Sequence, residues 1–424
     1  MNTPLDVHAI RAQFPLLGRE MNGHQIVYLD SGATSQKPRS VLDAQFNYLS
    51  GENAAVHRGA HSLAAEATNA FEDARETVAE FIGADPEEVV WTSGATAGLN
   101  LLAYAIGNAT AGRGGDEARQ FALQAGDEIV LTEAEHHANL IPWQELAART
   151  GAVLHHIRVA ADGRLDLTHA AELIGPRTRI VAFAHVSNVL GIVNPVRELV
   201  ALARQHGALT VLDACQSAPH LNLNFRELDV DAAVFSAHKV FGPDGIGVLY
   251  GKTALLNALP PFLHGGSMIS HVTLNHAEYL PAPQRFEAGT QHVSGAIGLA
   301  AATRFITEIG HEAIAEHEAT LERRLREGLR EIDGIRLLGD AAGVERVSLS
   351  AFEVHGVHAH DVGQYLDARG IAVRVGHHCA APLHQRYGLT ASVRASAALY
   401  NTVEEIDVLL ETLSKVRPFF GVTS

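Results

Sequence analysis

Two stretches decide how this chain is read. They are Leu209-Thr210-Val211-Leu212-Asp213-Ala214-Cys215-Gln216 and, after a polar connection, Ala232-Ala233-Val234-Phe235-Ser236-Ala237-His238-Lys239. Each begins as a short apolar run, the pattern of a strand buried on both faces, and each ends abruptly in groups that carry chemistry. The terminal carboxylate and amine are 26 residues apart, about the length of one strand-connection-strand unit.

Working outward, the same punctuation recurs. Apolar, β-branched runs lie at Val89–Thr92, Ile129–Thr132, Val153–Val159, Ile180–His185 and Gly247–Tyr250, most of them separated by helix-like stretches such as Pro195–Gln205. From Ser62 to Ile82, residues Leu63, Ala67, Phe71, Ala74, Val78 and Phe81 recur at the spacing of an amphipathic helix. Strands alternating with helices imply right-handed crossovers and a mainly parallel sheet covered on both faces, an α/β fold. Past Gly295 come two long helices, Ala296–Ile309 and Glu312–Glu331, then short strands and a last helix from Thr402 to Lys415. The expected division is a large α/β domain over 29–294 and a smaller α+β domain built from 1–28 and 295–424. The Gly-rich, charged stretch Gly107–Gly126 reads as a surface excursion.

With 424 residues, 47% of them hydrophobic, the chain has enough material for two or three domains and a sizeable core. Lys and Arg number 32 against 48 Asp and Glu, a formal charge of −16. That balance argues against nucleic acid or a membrane surface as a partner, because neutralising phosphates requires clustered basic side chains. Two cysteines, Cys215 and Cys379, are too few for a disulfide framework and direct attention to thiol chemistry in a reducing compartment, by default the cytoplasm. Neither a signal-like N-terminus nor a run of about 18 apolar residues is present, so no export or membrane span is expected. The 25 histidines include the pairs His136-His137, His155-His156 and His377-His378, yet none belongs to a set at metal-ligand spacing, and no metal is expected. His155-His156, inside a strand, reads as structural.

In an open sheet of this kind ligands sit beyond the carboxyl ends of the strands. Ser93-Gly94-Ala95-Thr96 turns a strand into a helix, which either aims free N–H groups and a positive dipole end at a phosphate or is a plain turn capped by Thr96. Lys239 reads as a nucleophile toward an aldehyde or as a solvated lysine at a strand end; Asp213 tips the choice. A carboxylate on one strand end and an amine on another can flank one planar ligand, pairing with a pyridinium nitrogen and an aldehyde carbon, and pyridoxal phosphate needs those partners plus a phosphate cradle. His136, in Glu135-His136-His137-Ala138-Asn139, is placed to stack on such a ring and exchange protons. Cys379 lies in Arg374-Val375-Gly376-His377-His378-Cys379-Ala380-Ala381-Pro382. It reads as a nucleophile beside Arg374 and two imidazoles, or as a buried inert thiol; Cys215 reads as a packing residue.

The chain resembles the pyridoxal-phosphate cysteine desulfurases of the class V aminotransferase superfamily, in particular the SufS-type group II enzymes, which have fold type I. The resemblance rests on Tyr28-Leu29-Asp30-Ser31-Gly32-Ala33, Ala55-Val56-His57-Arg58-Gly59-Ala60-His61, the His136 motif, His185-Val186-Ser187-Asn188-Val189-Leu190-Gly191, Ser236-Ala237-His238-Lys239, Arg285-Phe286-Glu287-Ala288-Gly289-Thr290 and the Cys379 loop. It implies that Lys239 bonds the cofactor aldehyde, Asp213 pairs with the pyridine nitrogen, Gln216 contacts the ring hydroxyl and His136 stacks on the ring. It also implies phosphate contacts from Ala95, Thr96, Ser236 and His238, with Thr290 reaching in from the partner subunit of a homodimer. Arg394 would clamp the substrate carboxylate, with Arg374, Asn188 and, across subunits, His57 and Arg58 completing the pocket. The implied reaction converts L-cysteine to L-alanine and leaves a persulfide on Cys379. Its sulfur would pass to an acceptor of the SufE type or the zinc-scaffold SufU type for iron-sulfur cluster assembly. Val357-His358-Ala359-His360-Asp361 resembles the subset with the zinc scaffold, which makes His360 the candidate contact. Three alternatives stay in view: another class V enzyme, a selenocysteine lyase, and a non-catalytic pyridoxal-phosphate-binding scaffold.

Overall fold

Seven strands form the main sheet, in the spatial order Val89–Thr92, Gly247–Gly251, Ala232–Ser236, Leu209–Asp213, Thr178–Ala184, Glu128–Thr132 and Val153–Ile157, in a computed structural model that describes residues 5–422. All run parallel except Gly247–Gly251, which is antiparallel to both neighbours. Only a short loop separates Ser236 from Gly247, too little chain for a crossover helix, so the strand must return alongside its predecessor. The five central strands are buried along their length almost without exception, which is why their sequences read as continuous apolar runs.

Helices cover both faces. Ala95–Thr110 lies over the sheet on one side with Ile141–Thr150 beside it. On the other, Ser62–Phe81 and Val293–Ile309 pack together, and the apolar side of Val293–Ile309 belongs to the same buried cluster as Phe183, Phe235 and Tyr250 of the sheet. Gly107–Gly126 is more ordered than an excursion. The helix continues to Thr110, a short helix occupies Gly115–Arg119, and Ala118 and Leu123 are buried, because these apolar residues give the segment an inner side while Gly112, Gly114 and Gly115 turn it through positive φ.

The smaller sheet has the order Ile335–Leu337, Leu349–Val354, Ser392–Ser396, Arg374–Gly376 and is covered by His311–Glu331, Ala359–Asp367 and Val403–Ser414 around their own core. Val27–Tyr28 pairs in parallel with Ile371–Ala372, and Asp30 bridges to Ser396. Beyond this bridge the chain runs along the cleft, where Gly32, Ala33 and Thr34 line the cavity, before it enters the helices that precede the first strand of the large sheet. Among the described residues no helix is long and apolar enough to cross a membrane.

Candidate active site

The carboxyl ends of the central strands and the edge of the small sheet close around a cavity of about 390 Å³. Lys239, Asp213, His136, Gln216, Ala95, Thr96, Ser236 and His238 line its inner end, and Asn188, Arg374, Cys379 and Arg394 its outer end. The parallel register brings Asp213 and Lys239 together, since the strand ending at Asp213 pairs directly with the one ending at Ser236.

At the inner end the helix Ala95–Thr110 starts from Gly94 with no side-chain cap, so its first-turn N–H groups face the cavity with at most a local partner, Ala95 N donating to Ser236 Oγ at 2.9 Å. A Cβ on Gly247 would fall 2.6 Å from Gly94 Cα. Only glycine lets the turn press so close to the strand. Lys239 makes no hydrogen bond or ion pair among the described residues, and the Asp213 carboxylate accepts from Cys215 N at 3.0 Å. His136 Nδ1 accepts from Ala138 N at 3.0 Å, which leaves Nε2 to carry the proton. Burial, reinforced by the charge of Lys239, pulls its pKa down to about 4, so the ring stays neutral at pH 7. A free amine, an under-used carboxylate, a neutral imidazole and an uncapped helix start with a hydroxyl beside it make the donor set that pyridoxal phosphate requires. The residues present fit the group.

At the outer end Arg394 is almost wholly buried. Its Nη1 donates to Asn188 O at 2.7 Å, its Nη2 lies 3.6 Å from Asp30 Oδ1, and its Nε has no partner among the described residues. Burial lowers its pKa to about 10, which still leaves the guanidinium charged at neutral pH. A Cβ on Gly32 would sit 3.2 Å from Arg394 Nη2 and 3.0 Å from Leu349 Cδ1, so glycine there gives the guanidinium room. Asn188 donates from Nδ2 to His378 O at 2.7 Å and so ties this end to the Cys379 loop.

That loop holds its thiol out. His378 and Cys379 both adopt left-handed backbone angles, φ +50 and +55, unusual for residues with side chains. The turn is fixed from several sides: His137 N donates to Cys379 O at 2.7 Å, Cys379 N to His377 Nδ1 at 3.2 Å, and Ala381 N to His137 Nε2 at 3.1 Å. Below, His378 and His384 each share a 2.9 Å hydrogen bond with Ser392 Oγ, and burial pulls the His378 pKa down to about 2. Cys379 is exposed, so it is not an inert core thiol. Cys215 is buried in the core, where burial, with Asp213 second, pushes its thiol up and leaves it protonated.

The structure does not bring every expected residue to this cavity. Arg58 and Thr290 line a separate cleft, and His57 stands near it, its Nε2 2.9 Å from Glu72 Oε1. Sequence reading also assigned no role to Asp30, between Arg374 and Arg394, or to Glu135. Glu135 is a buried carboxyl that takes hydrogen bonds from Thr132, Asn139 and Ala184 N and so anchors the His136 turn to two strands. Burial, against those three donors, pushes its pKa up to about 8. Both acids lie inside motifs already singled out; Thr132 and Asn139 are near Glu135 in the chain, but its Ala184 partner and both arginines around Asp30 depend on strand register. Among the described residues no three His, Cys, Asp or Glu side chains gather so that they could hold a metal ion.

Residues 27–409 match the family model for class-V aminotransferases. The chain is 54% identical, over 99% of its own length and 98% of the relative's, to a probable cysteine desulfurase from Mycobacterium leprae. Among solved structures it is similar to the apo cysteine desulfurase of Thermococcus onnurineus, with a TM-score of 0.90, 38% identity and coverage of 98% and 99% of the two chains. It is similar also to the S-sulfonic acid form of the cysteine desulfurase CsdA of Escherichia coli, with a TM-score of 0.87, 36% identity and coverage of 99% and 100%. With a sheet of this topology, a lysine and an aspartate at neighbouring strand ends and likeness along its whole length, the chain belongs to the class-V aminotransferase family of pyridoxal-phosphate enzymes with fold type I, among the cysteine desulfurases.

Proposed function

We propose that Cys379 is the residue on which this cysteine desulfurase collects the sulfur of L-cysteine, and that Lys239 is its proton-moving base. The observation that carries the reading is the exposed Cys379 thiol, fixed on a rigid left-handed turn at the mouth of the cavity that holds Lys239 and Arg394.

Lys239 would hold the cofactor through its amine, Asp213 the pyridine nitrogen, Gln216 the ring hydroxyl and His136 the ring face. Ala95 N–H, Thr96, Ser236 and His238 would hold the phosphate. Bound there, pyridoxal phosphate supplies an electron sink for the pair left when the substrate Cα–H bond breaks. Arg394 binds the substrate carboxylate through the donors it has left, with Arg374 and Asn188 beside it, and so orients the amino acid with its side chain toward the loop. Lys239 Nζ takes the Cα proton and returns one to the product. His136, with Nδ1 taken by Ala138 N, donates from Nε2. Cys379 Sγ attacks the substrate sulfur; the new S–S bond forms as the substrate Cβ–S bond breaks, and its electron pair stays with the carbon fragment. Protonation at Cβ gives L-alanine and leaves a persulfide on Cys379, so that the net change is thiol plus cysteine to persulfide plus alanine.

Thr290, His57 and Arg58 stand away from their own chain's cavity, and we infer that they serve the site of a second copy in a homodimer. We further infer that the persulfide sulfur passes to an acceptor protein for iron-sulfur cluster assembly. His360, exposed near the start of the helix Ala359–Asp367, is the candidate contact for a zinc-bearing acceptor, and a SufE-like thiol acceptor is the other candidate.

The experiment is alanine and sulfide production from L-cysteine with a reductant, by wild type and Cys379→Ala, with cofactor absorbance recorded in both. Loss of product with the absorbance unchanged is the expected result. Alanine formed at the wild-type rate by the variant overturns the assignment of Cys379.

A further inference from the structure

Three charges meet where the small sheet closes the cavity. Arg374 and Arg394 are direct cross-strand partners in an antiparallel pair, a placement that like charges disfavour. Asp30 arrives from a third segment, through its bridge to Ser396, and puts one carboxylate oxygen beside each arginine: Oδ2 lies 3.6 Å from Arg374 Nη1 and Oδ1 3.6 Å from Arg394 Nη2. Both separations are ion-pair distances, not hydrogen bonds, and Asp30 Oδ1 is buried without a hydrogen-bond partner among the described residues. The arginines line the cavity and Asp30 does not; it stands behind them.

This is an odd way to use a carboxylate. A salt bridge built for stability would close into the two-pronged geometry of guanidinium and carboxylate, yet Arg394 leaves Nε unpartnered and engages Asp30 only at long range. Its Nη2 is not spent on a close hydrogen bond to Asp30, while its charge is balanced from the rear. With Asp30 in place the three groups present one net positive charge to the cavity instead of two.

We propose that Asp30 is a specificity-determining residue of the carboxylate subsite: by cancelling one of the two arginine charges it matches the subsite to an amino acid with a single carboxylate and discriminates against one that carries a second anionic group. The proposal rests on the reading of Arg394 as the carboxylate clamp and goes beyond it, because it assigns the choice between singly and doubly anionic ligands to a side chain that does not line the cavity. Asp30 is a positioning residue here and acts only through the arginines.

The test is a binding ratio on the holoenzyme, read from the change in cofactor absorbance on titration with L-alanine and with L-aspartate, which share the α-carboxylate and differ in one negative charge. Asp30→Asn should shift the ratio of the two dissociation constants toward aspartate by on the order of tenfold, the effect of one unit charge a few ångströms away in a partly solvated cleft. Asp30→Glu, which keeps the charge, should stay near the wild-type ratio. Arg374→Gln should move it the opposite way, toward alanine; because Arg374 is half exposed, this variant tests the charge balance even if Asp30→Asn folds poorly. A ratio unchanged in both Asp30→Asn and Arg374→Gln, or moved in the same direction by both, overturns the proposal. L-cysteine turnover by the wild type, measured alongside, reports on the desulfurase reading separately: turnover with an unmoved ratio defeats only the role of Asp30, whereas no turnover with any acceptor defeats the reading beneath it.

Discussion

Replacing Glu287 by Gln removes the buried one of two counter-charges, the other being the more exposed Glu72, from a guanidinium that has almost no contact with water. The side chains of Arg75 and Glu287 are 2% and 4% exposed, and they meet through two bonds of 2.7 and 2.9 Å. Glu287 Oε1 also accepts from Trp91 N at 2.8 Å, and Arg75 also donates to Val89 O and to Glu72, each at 2.8 Å. Gln keeps the volume but leaves Arg75 charged and buried and turns an amide N–H₂ toward groups that are themselves donors. Breaking a buried pair from one side costs about 3–5 kcal/mol. At about 2 °C per kcal/mol for a large domain, the apparent Tm should fall by about 6–10 °C. The double variant Arg75→Met, Glu287→Leu removes both charges and leaves Trp91 N and Val89 O without those partners, a cost of about 1–3 kcal/mol for each buried group left unsatisfied. Two such groups make about 2–6 kcal/mol, so the double variant should melt close to Glu287→Gln although it lacks every Arg75 and Glu287 contact. In a thermal melt of the three proteins, a single variant that melts with the wild type, or a double variant that melts far below the single, refutes the argument that the buried charge, not the lost contact, sets the cost. Because Glu72 links Arg75 to His57, Glu287→Gln should also loosen the His57 turn.

Other outcomes follow from the same geometry. Arg394→Lys keeps the charge but loses the fork, and kcat/KM for L-cysteine should fall about 10- to 100-fold, mainly through KM, the effect of one charged hydrogen bond; unchanged steady-state kinetics would contradict the clamp. Lys239→Ala should bind cofactor only reversibly, so that gel filtration strips it, and should make no alanine. His136, His185 and His238 are each pulled down to about 4 by burial, so the unfolded chain takes up more protons than the folded one between about pH 6.5 and 4. Stability conferred by these neutral rings is fully present above pH 6.5 and is lost as pH falls through that window; urea midpoints measured from pH 7 to pH 4.5 should decline steadily, and a flat profile would contradict the burial argument.

Much of this was legible in the sequence because the signals are local. An apolar run ending in Asp213 or Lys239 announces a buried strand and its chemical end together, and the order of such runs gives the α/β architecture. The reversed strand Gly247–Gly251 is less visible, since its apolar pattern is that of its parallel neighbours and only the short preceding loop betrays it. The helix within Gly107–Gly126 was obscured by glycines that mark the turns while Ala118 and Leu123 do the packing. What the sequence conceals most is contact across register. Nothing near Asp30 in the chain says that Arg374 and Arg394 will flank it, nor does anything around His137 and Asn188 say that they will brace the Cys379 turn, because those partners lie hundreds of residues away and meet only when two sheets close on one cleft.

The most direct measurement is mass spectrometry of the two cysteine-containing peptides after brief reaction of the holoenzyme with L-cysteine and no acceptor. One added sulfur on the Cys379 peptide, none on the Cys215 peptide, and one alanine formed for each modified chain is the predicted result. Alanine formed in that amount with Cys379 unmodified would contradict the account.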